Sequence, residues 1–372
     1  MIKNIFWNSE ESRVRMLWRL VGQLLILVPV VLILQLIFGL AAFLLTSLQG
    51  GLDPGTLSDI TSIQAGLTDN PIFNLIAMVS TGVSLTISIW IAGRLLDRRK
   101  FADFGLKIDR NWWIDLGFGL GLGAVLMAVI FLIELAAGWV TVRAVFYTEN
   151  PEAAFLPALL PPLILFLAVG FYEELFSRGY QLTNLAEGLS GQLLGPRGGL
   201  AAAAVLSSAV FGVLHATNPN ASFTSTFNIA IAGLFLAAGF LLTGQLAIPI
   251  GLHITWNFFQ GNVFGFPVSG ANFSTTSFIA IEQGGPELWT GGAFGPEAGL
   301  LGLGAMVVGT ALTVLWVKRR YGKAALDLSI SSPPVRKTTE ELEREPERKP
   351  ERKPEREPER EPESPPASDD QS

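Results

Sequence analysis

The chain contains no cysteine. Disulfides, thiolate metal sites and a thiol nucleophile are therefore all excluded. Histidine is nearly as scarce, with 2 in 372 residues, and charged residues make up only 16 %. No GxSxG and no HExxH occurs, which removes the serine nucleophile elbow and the zinc-helix motif. Lysine and arginine are missing altogether from 48–71 and from 265–295. What is abundant is apolar: 49 % of residues are hydrophobic and the mean hydropathy is +0.43. Much of the charge gathers after Ser331, so the remainder is more apolar still. It divides into windows of about 20 residues, the length that crosses a bilayer. The fold class expected is all-α: a polytopic integral membrane helical bundle of about eight transmembrane helices, with a disordered C-terminal tail.

The spans are expected at roughly 18–47, 72–95, 112–138, 155–179, 198–218, 223–243, 246–266 and 296–317. The first runs on from a mixed-charge N-terminus with no cleavable leader evident, and is expected to stay as an anchor. Glycine runs such as GFGLGLGA in the third span follow no strand signal, so close helix packing is the reading rather than a nucleotide loop. Positive charge sets orientation. Lys3, Arg13, Arg15 and Arg19 precede span one; Arg94, Arg98, Arg99, Lys100, Lys107 and Arg110 separate spans two and three; Lys318, Arg319, Arg320 and Lys323 follow span eight. With the bare segments 48–71 and 265–295 opposite them, both termini are expected in the cytoplasm. The loop at 265–295 is long for a structureless connection and is read as a cap on the outer face. The tail repeats Pro-Glu-Arg with period four; proline forbids a continuous helix and nothing apolar is there to bury.

Three polar constellations stand inside apolar stretches, where ionisable groups cost roughly 2.5–3.5 kcal/mol each and usually mark function. In FYEELFSRG, Glu174 and Arg178 lie four apart, the spacing of an intrahelical ion pair. Glu173 is then about 100° round the helix with no partner from its own segment, free for general-base work. In FGVLH, Phe211 and His215 share a face. In GLHITWN, His253 and Asn257 lie one turn apart and can aim an imidazole and an amide donor at one point. Each alone has a plain structural reading: a vestibule-facing charge, an interhelical hydrogen bond, a polar seam. Together, with no serine or cysteine nucleophile available, they leave water activated by a carboxylate, with histidines that orient it or bind metal.

Glu173-Glu174-x-x-x-Arg178, Phe211-x-x-x-His215 and His253-x-x-x-Asn257 resemble the three-motif signature of the CPBP family, which comprises type II CAAX prenyl endopeptidases and bacterial bacteriocin-processing or immunity relatives. The resemblance covers roughly residues 155–265. It implies an intramembrane endopeptidase in which Glu173 activates water with help from His215, His253 and Asn257 stabilise the oxyanion, and Glu174 and Arg178 hold the site together. It also admits a metalloprotease with zinc held by Glu173, His215 and His253, one position left open. In that case Glu174 becomes the candidate base. The substrate implied is a membrane-associated protein or peptide, with a prenylated CAAX end as one option; the other partner is the lipid bilayer, and no nucleic acid is expected. The plasma membrane of a prokaryote is the expected location. The organisation is read as a cytoplasmic N-terminus (1–17), N-terminal helices (18–150), a CPBP-like catalytic core (151–265), an extracytoplasmic loop (266–295), a last helix (296–317) and a charged cytoplasmic tail (318–372).

One conflict is built into these boundaries. They put Glu173 in the cytoplasmic half of span four and His215 near the outer end of span five, roughly 15–20 Å apart in depth. A shared site requires the boundaries to move or the helices to break around a wet cavity. Two other acids are weaker candidates: Asp115, read as solvated at an interface, and Glu134, read as a helix-pairing or cavity-lining group. Two further functions fit the same residues. A proton-coupled transporter would use them as a relay, although no inverted repeat is visible; a non-enzymatic immunity or scaffold protein would keep the bundle and bind through the tail or the outer loop.

Overall fold

A computed structural model describes residues 3–9, 11–48, 71–191 and 193–333. The expectations placed on 49–70 and on the tail from 334 onward lie outside the described residues. The described chain is mostly helical. The long helices are α1 (Met16–Leu48), α2 (Pro71–Ala92), α3 (Arg110–Ala136), α4 (Phe155–Glu174), α5 (Gly195–Leu214), α6 (Phe223–Thr243), α7 (Ala247–Phe258) and α8 (Leu300–Tyr321). Seven helical stretches among the described residues are long and apolar enough to cross a membrane: all but α7. Large side chains such as Leu25, Leu32 and Leu36 of α1 remain exposed, as expected of a helix whose solvent is lipid rather than water.

Local chemistry sets several helix ends. Asp109 caps α3 by accepting from Trp112 N at 2.8 Å. Ser222 and Ser225 form a reciprocal cap on α6, which stops at Gly244 with φ +64°, a left-handed conformation that glycine adopts without Cβ strain. Lys318, Arg319 and Arg320 fill the last turn of α8, where cations offset the helix dipole.

The segment expected as the seventh span is shorter than a membrane crossing requires. Helix α7 has 12 residues and runs into a 5-residue π-helix, Phe259–Val263. It is buried along most of its length and packs most closely on α3. Three glycines make that approach: a Cβ added at Gly119 or Gly123 of α3 would fall within 3.0 Å of the α7 backbone, and one at Gly251 within 3.0 Å of α3. The glycine run of the third span thus serves close packing.

Helix α4 does not stop near 179. It passes into a π-helix, Leu175–Leu182, and then into a further α-helical segment, Thr183–Leu189. Those ten extra residues lower the turn to α5 by roughly 15 Å, and this removes the depth conflict. Counted from the turn, Glu173 stands roughly 24 Å up α4 and its extension, and His215 roughly 30 Å up, just past the end of α5.

Two strands were not expected. Val140–Thr148 (β1) and Thr276–Gln283 (β2) pair antiparallel, from Val140↔Gln283 to Thr148↔Thr276, with an irregularity at Val142/Ala144. Their β-branched and aromatic content, VTVRAVFYT and TSFIAIEQ, is the signal that the helix-oriented reading passed over. The 265–295 loop is therefore partly strand, with short helices at 287–290 and 292–294, and a further one at 296–298 follows it.

At the α4-extension end, Glu187 gathers Arg13 (2.7 Å), Arg19 (2.8 Å) and Arg99, while Arg19 also reaches Asp97 at 3.4 Å. Tyr180 OH donates to Asp97 at 3.0 Å. Three of the arginines counted for orientation are thus buried in an ion network that ties the N-terminal segment to α2 and α4. Asp115 is not solvated: it is 1 % exposed and accepts from Trp316 Nε1 and Tyr321 OH, binding α3 to α8. Glu134 is buried and accepts from Gln283 Nε2 at 3.2 Å, so it fastens α3 to β2 and does not line the central cavity.

Candidate active site

Glu173 and Glu174 end the regular part of α4, and the π-helix begins one residue later. His253 and Asn257 lie on the last turns of α7, and its π-helix begins at Phe259. Both helices that carry candidate residues therefore change pitch immediately after them, a feature frequent at functional sites because the wider turn redirects side chains. His215 follows the last residue of α5, so its ring sits where the helix has opened.

The residues assemble as follows. Glu174 is fully buried and accepts from Arg178 at 2.7 Å and from His253 Nδ1 at 2.8 Å, both on Oε1. Arg178, also buried, donates to Gly233 O at 2.9 Å and lies over the Phe211 ring at 4.5 Å. His215 Nδ1 faces Phe211 O at 2.7 Å. A carbonyl only accepts, so the proton of neutral His215 is on Nδ1 and its Nε2 is a lone pair. The same holds for neutral His253, whose Nδ1 donates to the Glu174 carboxylate. Both bare Nε2 atoms point to one place: Glu173 Oε2 lies 4.0 Å from that of His215 and 3.9 Å from that of His253. Glu173 Oε2 is buried and receives no hydrogen bond from any described residue.

These groups line a cavity of about 390 Å³ with otherwise largely apolar walls, drawn from α2, α4, α5, α6, α7, α8 and the 268–273 loop. Glu173, His215, His253 and Asn257 all contribute to it; Glu174 and Arg178 stand behind them. Asn257 lines the cavity with no hydrogen bond to another described residue, so its amide is available to a ligand. Sequence reasoning missed Glu297, which lines the same cavity from the segment before α8; the only signal was an acid at the head of an apolar run. Glu297 accepts from Ser269 N at 2.6 Å, from Ser269 Oγ at 3.2 Å and from Gln260 Nε2. Burial pushes its carboxyl up to about 7, against the pull of those donors.

Two imidazole nitrogens and a carboxylate oxygen are donor types that zinc takes in catalytic sites. As placed, they do not close on one ion: among the described residues no three His, Cys, Asp or Glu form a group that could hold a metal. What the arrangement does offer is three acceptors around a gap wider than a hydrogen bond, facing an apolar cavity with one free amide donor.

The helices and the buried polar cluster define an integral membrane protein with a cavity inside the bundle. Residues 155–259, less than half of the chain, match the model of the Rce1-like family, described as type II CAAX prenyl endopeptidases. At family level this supports a CAAX-type intramembrane endopeptidase, a hydrolase with a protein substrate in a lipid bilayer. No curated protein and no solved structure matches the chain.

Proposed function

We propose that Glu173 activates water for hydrolysis of a peptide bond in a membrane-associated protein or peptide. The observation that carries this reading is the gap between Glu173 Oε2 and the two histidine Nε2 atoms, 4.0 and 3.9 Å across. Those spans are too long for direct bonds, and a water between them can donate to the carboxylate and to one imidazole.

The steps balance without a further reagent. Water gives one proton to Glu173 as its oxygen attacks the carbonyl carbon of the scissile bond. The carbonyl oxygen becomes an oxyanion, and the Asn257 amide donates to it. His253 joins as a donor only with its Nε2 protonated; Glu174, bound to the opposite nitrogen, supports that charged form as the acid of a catalytic triad does. Collapse breaks the C–N bond, and the departing nitrogen takes the proton from Glu173. His215 keeps the water in place. Arg178 offsets the charge of Glu174 and fixes its orientation.

Apolar walls suit a hydrophobic segment near the scissile bond, and a prenylated CAAX-like end belongs to that class. We place both termini on the cytoplasmic side, following the charge bias of the helix ends, and take the membrane to be the plasma membrane of a prokaryote. That arrangement requires α7 and its π-helix, rising roughly 25 Å, to cross within the bundle.

The test is Glu173→Gln in proteoliposomes, with cleavage of membrane-anchored peptides read by mass spectrometry. The variant is expected to fold as the parent does and to lose cleavage by at least a hundredfold. Cleavage at the parent rate would remove Glu173 as the base.

A further inference from the structure

The water-activating groups leave one buried acid of the cavity unused. Glu297 is 3 % exposed and lines the same cavity as Glu173 and His253. Its hydrogen-bond donors among the described residues are all neutral: its own amide, the Ser269 amide, the Ser269 hydroxyl and the Gln260 side-chain amide. No ion pair to it occurs among the described residues. No lysine or arginine is among the described residues that line the cavity. A buried carboxylate is ordinarily paired with a cation because neutral donors only partly replace its hydration. Here no described residue supplies that cation.

The carboxyl is also held in a fixed pose. Ser269 occupies both acceptor positions of Oε1, and Gln260 takes one on Oε2. Gln260 is itself anchored by donating to Pro267 O at 2.5 Å, and Asn218 donates to Ser269 O at 3.0 Å. Gly295, at φ +117°, leaves the space: a Cβ there would lie 2.7 Å from Glu297 Oε2. Several separate segments thus hold at the cavity wall a carboxyl that no cation among the described residues pairs with.

We propose that Glu297 is a cation-binding subsite of the cavity, taking a lysine, an arginine or a free amino group of the peptide substrate. This rests on the peptidase reading above. A volume of about 390 Å³ corresponds to a sphere roughly 9 Å across, and an extended chain advances roughly 3.3 Å per residue. The cationic group therefore falls within about three residues of the scissile bond.

The experiment profiles cleavage of a membrane-anchored peptide library in proteoliposomes. Each position around the cut carries Lys, Arg, Gln or norleucine, and the full-length protein is compared with Glu297→Gln, Glu297→Asp and Glu173→Gln. The parent is expected to favour Lys or Arg over Gln roughly tenfold at one fixed offset, the scale of one charge-assisted hydrogen bond. Glu297→Gln is expected to bring that ratio close to one, and Glu297→Asp to retain most of it. A parent that cleaves without cationic preference, or a Glu297→Gln variant that keeps it, overturns the subsite and leaves the peptidase reading intact. If Glu297→Gln does not fold, the aspartate variant and the parent profile decide in the same way. If the parent cleaves nothing, the peptidase reading falls; binding of the Lys peptide that is then measured by thermal shift, kept in Glu297→Asp and lost in Glu297→Gln, would sustain the subsite alone, and equal binding by the parent and Glu297→Gln would remove it.

Discussion

Removing the Glu174 carboxylate separates what holds the site together from what makes it react. In Glu174→Leu, Arg178 keeps its guanidinium in a place that is 1 % exposed but loses the carboxylate at 2.7 Å, the one among the described residues within ion-pair distance of it. Breaking one side of a buried pair costs about 3–5 kcal/mol, a large share of the roughly 5–15 kcal/mol that keeps a fold together. The Gly233 carbonyl at 2.9 Å and the Phe211 ring at 4.5 Å compensate only in part. Replacing Arg178 by Met in the same protein removes the stranded charge, and apolar substitution of a whole buried pair is often nearly neutral. Glu174→Leu/Arg178→Met is therefore expected within about 1–2 kcal/mol of the parent. Activity should not follow. His253 Nδ1 loses its acceptor at 2.8 Å, and loss of the acid that orients a catalytic imidazole lowers turnover by up to about 10⁴-fold. Denaturation in detergent micelles, followed by tryptophan fluorescence, gives stability; peptide cleavage gives activity. A double variant that regains both would refute the claim that Glu174 acts through His253.

Three further outcomes are expected. Cleavage should survive exhaustive treatment with a strong zinc chelator, because the acceptors around Glu173 do not converge on one ion; loss of activity that added zinc restores would reinstate the metal reading. Gly123→Val should push α7 away from α3, since even a Cβ there would lie 2.8 Å from Trp256 N. That shift should lower cleavage more than tenfold, because misplacement by about 1 Å can cost a hundredfold, and an unchanged rate would show that α7 tolerates the displacement. Glu297 should make stability depend on pH. Its folded carboxyl, raised to about 7 from 4.5, holds its proton more tightly than the unfolded one. Stability is therefore highest at acid pH and declines as pH rises from about 4.5 to about 7, by about 3 kcal/mol in total. Thermal unfolding at pH 5 and pH 8 should show this decline in the parent and a flatter curve in Glu297→Gln; equal slopes would show that Glu297 titrates normally.

Much of the site was legible because its parts are local. Glu174 and Arg178 pair where the four-residue spacing put them, and Phe211 with His215 and His253 with Asn257 each share a helix face. The strands at 140–148 and 276–283 were hidden by the prevailing helical pattern, since in a membrane chain alternation competes with long apolar runs. Glu297 was hidden for another reason. Its partners, Gln260 and Ser269, lie 37 and 28 residues away, and no periodicity records such contacts.

Helices, their apolar lengths and the identity of the chemical groups follow from the sequence alone. They depend on hydropathy and on the 3.6-residue turn, which act over short distances along the chain. The level at which those groups meet did not follow. It depends on α4 running on through a π-helix to Leu189, which brings Glu173 level with His215, and on glycines that let α7 press against α3. Which nitrogen of each histidine is free was likewise decided in three dimensions, because a carbonyl and a carboxylate hold the other nitrogen of each ring.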